Sequence, residues 1–262
     1  MSYTNSYHPP SSPPLLSQGE LYGPDPYDLN FVYPIHVASL ETPRVKLVPF
    51  IPRVHADYLW SQVSTDLDLF RYFPFTWSTK EALLTYFERE VRQNINNVLF
   101  AVIDKTRPDP EHSEFEGGSF AGVIGLYNSV SHNLSSEIAF VAVLPSFQRT
   151  HVASNAVGAL MKYCLELPNA GFSGLGLRRL EWKAHSKNAP SVRLAERMGF
   201  TREGMMRWHA ILQPVLAKDG KKPREGEKWV DRYGRDTVFL SVCWDEWENG
   251  VKELAQKNVD RV

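Results

Sequence analysis

The sequence predicts a single α/β domain, of the α+β kind, built on a mixed sheet of about seven strands. Strand-like runs occur beside one another as hairpins and also separated by amphipathic helical segments, which indicates antiparallel and parallel pairing in one sheet. The chain has 262 residues, of which 43% are hydrophobic and 23% charged, so it can bury one sizeable core. A third observation is the change near residue 43, where a proline-rich segment gives way to regular apolar patterns.

Apolar periodicity assigns the individual elements. The predicted strands are 44–50, 97–104, 120–128, 135–144, 178–185, 200–212 and 236–243. The predicted helices are 53–63, 80–94, 152–167, 188–198 and 246–257. Two long polar segments, 106–118 and 213–235, are predicted loops, because the first holds prolines and acids and the second is rich in lysine.

Residues 1–43 form a Pro- and Ser-rich N-terminal extension ahead of a domain at 44–262. Seven of the 18 prolines fall in Met1–Pro34, which excludes helix and disfavours strand. One interpretation is a disordered tail. The other rests on the apolar and aromatic residues between Leu21 and Leu40, which disordered tails usually lack. It predicts an extended arm that packs partly on the domain, near the acceptor site.

Composition argues against several classes of protein. The formal net charge is −1, whereas nucleic-acid binders normally carry a strong basic excess. The two cysteines, Cys164 and Cys243, make no disulfide framework, and no metal-ligand spacing is present. No apolar run reaches the ~18–20 residues of a membrane span, and the N-terminus lacks the pattern of a signal peptide. We therefore expect a cytoplasmic protein with no metal, no nucleic-acid partner and no membrane contact.

Two segments carry residues suited to chemistry. The first is EIAFVAVLPSFQRTHVASNA (137–156), a predicted strand, loop and helix. A loop that enters a helix presents free backbone N–H groups and the positive end of the helix dipole, which together bind phosphate. The second is AHSKNAPSVRLAERMGF (184–200), where Asn188 suits the N-cap, Pro190 the first turn and Gly199 the residue after the helix.

These segments resemble two motifs of the GNAT N-acetyltransferase superfamily. The family loop reads Gln/Arg-x-x-Gly-x-Gly/Ala, and here Gln148 fills its first place and Ala153 its last. The motif that follows has Asn-x-x-Ser and a closing Gly-Phe. Its matching residues are Asn188, Ser191, Gly199 and Phe200. The resemblance spans roughly Arg44 to Cys243 and implies a mostly antiparallel seven-stranded sheet with helices on both faces.

The branch that the chain most resembles is the RimJ/RimL-like one, with Glu-Ile-x-Phe/Tyr in the strand before the loop. Glu137, Ile138 and Phe140 occupy those places. Two residues depart from the pattern: His151 stands for the middle glycine of the loop, and Asn155 for the usual glutamate. Histidine is among the non-glycine residues enriched at positive φ, so we expect it to keep the loop shape.

The resemblance implies acetyl-CoA as co-substrate and direct transfer of its acetyl group to an amine. Strands 135–144 and 178–185 are expected to splay apart, so that the pantetheine arm pairs with exposed strand backbone. Loop amides are expected to bind the pyrophosphate. The residues implied in cofactor binding are Phe140, Val141, Ala142, Val143, Gln148, Arg149, Thr150, His151, Val152, Ala153, Ser154 and Asn188.

The resemblance also implies catalytic roles. Glu137 is the candidate base, acting through a water, and Ser191 is the candidate proton donor to the sulfur. Backbone N–H groups near Val141–Val143 can polarise the thioester carbonyl. Each side chain has a structural alternative: Glu137 as a solvent-facing carboxylate, and Ser191 as cover for the start of its helix.

The function implied is an acetyl-CoA-dependent N-acetyltransferase acting on a small-molecule amine or a peptide N-terminus, as a monomer or homodimer. One alternative is a non-catalytic acyl-CoA-binding or interaction module on the same fold, for which His151 is the main argument. Another is transfer of a longer acyl group. The acceptor pocket is expected to form from the arm, the helices at 53–94 and the loop at 213–235.

Overall fold

The computed structural model describes residues 2–8, 13–65 and 67–261. Seven strands form one sheet, in the order β1-β2-β3-β4-β5-β7-β6. They are β1 (Val45–Pro49), β2 (Val98–Asp104), β3 (Ser119–Val130), β4 (Ser135–Val143), β5 (Arg179–His185), β6 (Thr201–Ile211) and β7 (Gly234–Cys243). Every neighbouring pair is antiparallel except β4 and β5, which are parallel. The predicted mixed, mostly antiparallel sheet is confirmed.

The helices also fall where the apolar periodicity predicts them. They are α1 (Pro52–Val63), α2 (Lys80–Tyr86), α3 (Val152–Leu165), α4 (Ala189–Arg197), α5 (Trp244–Glu246) and α6 (Lys252–Asp260). α2 continues into a wider π-helical turn over Phe87–Arg92. The predicted terminal helix is split between α5 and α6, because Gly250 has φ 120°. Every residue of β2 is buried, so the helices cover both faces of the sheet.

The parallel strands β4 and β5 separate part of the way along. They pair only from Ser135 opposite Arg179 to Ile138 opposite Trp182. Beyond Ile138, the β5-facing edge of β4 has no strand partner among the described residues, although its other edge continues to pair with β3. The predicted splay between the two strands is therefore present.

A β-bulge lies in β4 at the point where the strands separate. Phe140 has φ 53°, and β4 residues 140 and 141 stand opposite one residue of β3. The Phe140 ring packs among aromatic side chains that hold this backbone in place. They are Phe70, Phe73, Phe75, Trp77, Tyr86, Phe87 and Tyr127. The aromatic cluster therefore fixes the strand geometry at the gap.

The segment between Leu21 and Leu40 lies against the domain. Leu21 and Leu40 are both buried, at 4% and 0% exposure. The Tyr33 hydroxyl donates to the Ser135 carbonyl at 3.1 Å, at the start of β4. The Tyr163 hydroxyl in α3 donates to the carbonyl of residue 34 at 2.7 Å. These contacts join the segment to the sheet and to α3. The division into an extension and a domain stays a prediction.

Buried His55 gives the fold a predictable response to acid. Its side chain is 3% exposed, and its Nδ1 accepts from the Ile51 amide at 2.9 Å. Burial lowers the pKa of His55 to about 4. The unfolded chain therefore takes up a proton at this residue below about pH 6.5, whereas the folded chain does so only near pH 4.

We expect His55 to remove stability as the pH falls from about 6.5 to 4, at about 1.4 kcal/mol per pH unit. Urea unfolding at several pH values should show a shallower pH dependence for His55→Phe than for wild type. Equal slopes for the two proteins would contradict the assignment.

Candidate active site

A cavity of about 460 Å³ opens where β4 and β5 separate. Its apolar wall comes from β4, β5 and the segment around residues 72–75. The aromatic lining residues are Tyr72, Phe73, Phe75, Tyr86, Tyr127, Phe140 and Trp182. The polar lining residues are Asn128, Glu137, Lys183, His185, Asn188, Ser191, His209 and Arg235. Concave, mostly apolar sites with a few convergent polar groups are typical of small-molecule binding.

Glu137 lies in this cavity and is 5% exposed, so its interpretation as a solvent-facing carboxylate is wrong. One oxygen, Oε2, accepts from Lys183 Nζ and from Asn128 Nδ2, each at 2.7 Å. Lys183 also contacts Glu181 at 3.2 Å. Burial disfavours the Lys183 charge, but the two carboxylates outweigh it, so the pKa of Lys183 is raised. The lysine therefore stays charged beside Glu137.

Ser191 lies across the gap from Glu137, on the first turn of α4. Asn188 caps this helix, since its Oδ1 accepts from the Ser191 amide at 3.2 Å. The Ser191 hydroxyl oxygen accepts from the indole N–H of Trp182 at 3.0 Å. The hydroxyl proton has no acceptor among the described residues, so it is free to donate to a ligand. The predicted residues Glu137, Phe140, Val141, Asn188 and Ser191 thus line one cavity.

The loop Gln148–Ser154 lies beyond the end of β4 and enters α3. The Gln148 side chain donates from Nε2 to the Val143 carbonyl at 3.0 Å, which connects the loop to the strand. Within the described chain, no group accepts from the backbone amides of Arg149, His151, Ala153 and Ser154. Free amides at a helix N-terminus form an anion site. The loop thus offers the donors expected for a pyrophosphate.

His151 corrects one expectation about this loop. Its φ is −66°, so the positive-φ position is not residue 151 but Arg149, at φ 60°. His151 Nε2 lies 3.2 Å from Oδ1 of fully buried Asp104, at the end of β2. The histidine therefore joins the loop to the sheet. Asn155 is also structural, because it is fully buried and its Nδ2 donates to the carbonyls of His151 and Val259.

We expect His151→Gly to weaken acetyl-CoA binding. Removing the imidazole deletes the hydrogen bond to Asp104 Oδ1, which keeps two bonds from Thr106, so we expect a loss of about 0.5–1.5 kcal/mol. The glycine also gives the loop more freedom. Calorimetric titration of acetyl-CoA into both proteins is the measurement. Tighter binding by the glycine variant would show that the histidine hinders the loop.

Arg149→Ala tests the side chain at the positive-φ position without changing the backbone requirement, because alanine and arginine are strained alike there. We expect acetyl-CoA binding to weaken by about 0.5–2 kcal/mol, the range for a partly wet charge-assisted contact. The loss should shrink at high salt. A loss that salt leaves unchanged would contradict a phosphate contact.

The comparisons with known proteins agree with this geometry. The family model for the acetyltransferase (GNAT) domain matches residues 44–201. The chain belongs to the GNAT acetyltransferase family. None of the curated proteins matches it.

Solved GNAT structures resemble the chain over most of its length. A GCN5-related N-acetyltransferase from Brucella melitensis is 27% identical, with TM-score 0.62 over 83% of each chain. RimJ from Mycobacterium smegmatis, in complex with CoA-disulfide, is 16% identical, with TM-score 0.57 over 81% of this chain and 88% of that one. Spermidine N-acetyltransferase from Vibrio cholerae, with CoA and spermine, is 14% identical, with TM-score 0.55 over 79% and 100%. The last two likenesses show the fold alone.

Several residues of this GNAT domain that sequence reasoning missed lie at the site. Lys183, His185 and Arg235 line the cavity. Arg197 on α4 contacts the Ser154 hydroxyl at 3.4 Å, which places a second cation beside the loop Gln148–Ser154. Strand alternation could have found Lys183 and His185. Glu137 pairs with residue 181 of β5, and residues 183 and 185 lie on the same face of the sheet as residue 181 because side chains alternate along a strand. No local signal identifies Arg235.

Two further findings concern this GNAT domain. No helix among the described residues is long and apolar enough to cross a membrane. Nor does that part of the chain contain a group of three or more His, Cys, Asp or Glu that could hold a metal ion.

Proposed function

We propose that the protein transfers an acetyl group from acetyl-CoA to a primary amine of a small molecule or a peptide N-terminus. The observation that carries the proposal is the gap between β4 and β5. On one side of the gap are the unpaired edge of β4 and the loop Gln148–Ser154 with its free amides. On the other side is a cavity with acid–base groups. A donor thioester and an acceptor amine can meet in such a gap.

The chain's own groups fit acetyl-CoA. The loop amides of Arg149, His151, Ala153 and Ser154, with the Arg149 side chain, suit the pyrophosphate, because these amides have no acceptor among the described residues and lie at a helix N-terminus. The unpaired edge of β4 from 139 to 143 suits the amides of the pantetheine arm. Asn188, which caps α4, lines the same cavity.

Glu137 and Ser191 have complementary roles in the proposed chemistry. Acetyl-CoA supplies an activated thioester. Glu137 receives the proton that the attacking amine loses, directly or through a water. Ser191 donates its hydroxyl proton to the departing thiolate and is reprotonated, through water, by the proton that Glu137 has taken up. The bulge at Phe140 turns the β4 backbone toward the cavity, where an amide N–H can bind the developing oxyanion. Lys183 and Asn128 hold the Glu137 carboxylate in position.

The finer assignment is to the RimJ/RimL-like branch, and it rests on the Glu-Ile-x-Phe pattern of β4 and the fold likeness to RimJ. A cavity of about 460 Å³ favours a small amine or a single peptide terminus over a folded surface. Cytoplasmic localisation is part of the same proposal, which the two free thiols support. So is a monomeric or homodimeric state.

Incubation of the protein with acetyl-CoA and a panel of primary amines tests the proposal, with release of the CoA thiol as readout. We expect turnover that depends on both substrates. Calorimetric titration of acetyl-CoA separates the outcomes. Binding without turnover on any amine or peptide would favour the non-catalytic acyl-CoA-binding module, and no binding would overturn both.

A further inference from the structure

Arg235 is a cation without a counter-ion. It is the second residue of β7 and lines the cavity, and its Nε is buried with no hydrogen-bond partner among the described residues. None of the described carboxylates forms an ion pair with it; Glu137 acts on it only at longer range. Burial lowers the pKa of Arg235 from its usual value, and Glu137 offsets part of that effect. A partly buried guanidinium without a partner destabilises a fold, which calls for an explanation.

His185 offers a second unpartnered donor in the same cavity. The side chain is 2% exposed, and its Nδ1 accepts from the Lys187 amide at 3.0 Å. Burial, together with the nearby Arg235 cation, lowers the pKa of His185 to about 4, so the ring is neutral at pH 7. With Nδ1 as acceptor, the proton of the neutral ring lies on Nε2. This Nε2 is buried and has no partner among the described residues.

Sheet register places the two donors on one face. His185 stands opposite Thr237 in the β5–β7 pair, and Arg235 is two residues before Thr237 on the same strand. The carboxylates nearest His185 are engaged elsewhere: Asp219 with Arg71 at 3.3 Å, and Asp236 with Lys221. The two donors therefore have no hydrogen-bond acceptor among the described residues.

The charges of the cavity indicate what the missing acceptor is. Among the described residues that line it, one carboxylate, Glu137, faces two cations, Lys183 and Arg235. Lys183 is bound to Glu137 and also contacts Glu181, so Arg235 is the lining cation that has no carboxylate partner among the described residues. A guanidinium binds carboxylates and phosphates in a two-pronged geometry, so one unpaired guanidinium suits one anionic group.

We infer that the acceptor is a small amine that also carries a carboxylate, and that Arg235 and His185 bind this carboxylate. The inference rests on the proposed function and names its substrate class. The carboxylate oxygens of the acceptor accept from the Arg235 guanidinium and from His185 Nε2–H, which satisfies both buried donors. The amine then extends toward Glu137 and the gap. A polyamine, which brings only positive charge, is a poor substrate for this cavity.

The test uses ω-amino carboxylates of two to six carbons, each compared with its carboxamide, its phosphonate and the matching diamine, in the CoA-thiol release assay. We expect kcat/KM of the best carboxylate to exceed that of its carboxamide and diamine by about tenfold or more. Comparison of each phosphonate with its carboxylate shows which of these two anionic groups the site prefers. Equal or better turnover of the diamine or the carboxamide would overturn the inference while leaving acetyl transfer intact.

Variants at Arg235 separate binding from folding. Arg235→Gln should raise KM for the carboxylate by about 10–100-fold with little change in kcat or in acetyl-CoA binding. Arg224→Gln, on an arginine whose side chain is 88% exposed, is the matched control and should behave as wild type. Arg235→Met should raise the melting temperature, because it removes an unpartnered buried group. A lower melting temperature with unchanged KM would assign the arginine a structural role.

If no amine is turned over, calorimetry still decides the inference. The CoA-loaded protein is titrated with the same amino carboxylates. Binding by wild type and not by Arg235→Gln would establish the anion site although the proposed activity had failed. Absence of binding by wild type would overturn the site.

Discussion

Ser191→Ala is expected to lower kcat by roughly 10–1000-fold, the range for loss of a positioned proton donor. The structure gives the reason. The hydroxyl oxygen accepts from Trp182 Nε1 at 3.0 Å, which holds this oxygen in the cavity wall while its proton has no acceptor among the described residues. Acetyl-CoA binding should change little, because helix capping uses the Ser191 backbone amide rather than the side chain. Steady-state kinetics and calorimetry measure the two effects separately.

Ser186→Ala is the control for this variant. Residue 186 is exposed and does not line the cavity, so its hydroxyl should be dispensable. Turnover by Ser191→Ala at the wild-type rate would remove the serine from the mechanism. A fall in kcat that is accompanied by a clear fall in melting temperature would instead indicate damage to α4.

Glu137→Gln is expected to lower kcat over the same range, since an amide cannot take the amine proton. Glu181→Gln is a matched control, because Glu181 contacts the same Lys183 nitrogen but does not line the cavity. If Glu137 acted only by neutralising Lys183, the two variants would lose similar activity. A large loss confined to Glu137→Gln supports a base.

Most of the fold could be predicted because periodicity reports burial directly. The apolar pattern at 135–144 is typical of a strand and that at 152–167 of a helix. The structure has a strand at Ser135–Val143 and a helix at Val152–Leu165. The break at Gly250 was not predicted, although glycine is a local signal for the positive φ found there. The π-helical turn after α2 was not predicted either. The bulge at Phe140 was missed because seven aromatic rings from distant segments hold it.

The site could be predicted only where it follows a local motif. Glu137 and Ser191 come from two segments that a strand, a loop and a capped helix make recognisable. The interpretation of His151 was wrong because its partner, Asp104, lies 47 residues earlier, at the end of another strand. Arg235 has no sequence signal at all, since an arginine beside a polar loop usually faces solvent. Its isolation appears only when the sheet register is known.

Gly122→Ala is expected to destabilise the protein more than the same substitution at Gly125, the other glycine of β3. Gly122 has φ 148° and pairs with Val143, at the end of β4. A Cβ there would clash with the Ala142 carbonyl oxygen, a backbone atom that cannot turn away. Strained φ and overpacking each cost about 1–3 kcal/mol, so we expect a loss of about 2–5 kcal/mol.

Two other glycines separate these contributions. Gly117 has φ 84° but no atom within 4 Å of an added Cβ, so Gly117→Ala reports the backbone strain alone. Gly204 has neither a positive φ nor a close neighbour, so Gly204→Ala should be nearly neutral. The melting temperature of Gly122→Ala should fall by about 5–15 °C, and that of Gly117→Ala by less, because each kcal/mol corresponds to roughly 2–4 °C at this size.

The same variant links the fold to the site. Because Gly122 pairs with the last residue of β4, forcing the strands apart there displaces the backbone that we propose for pantetheine binding. Gly122→Ala should therefore weaken acetyl-CoA binding even at temperatures where it is folded, whereas Gly117→Ala, in the distant hairpin loop, should not. Calorimetry at 15 °C on both variants is the comparison. Wild-type affinity in folded Gly122→Ala would show that acetyl-CoA binding does not depend on the position of the β4 edge.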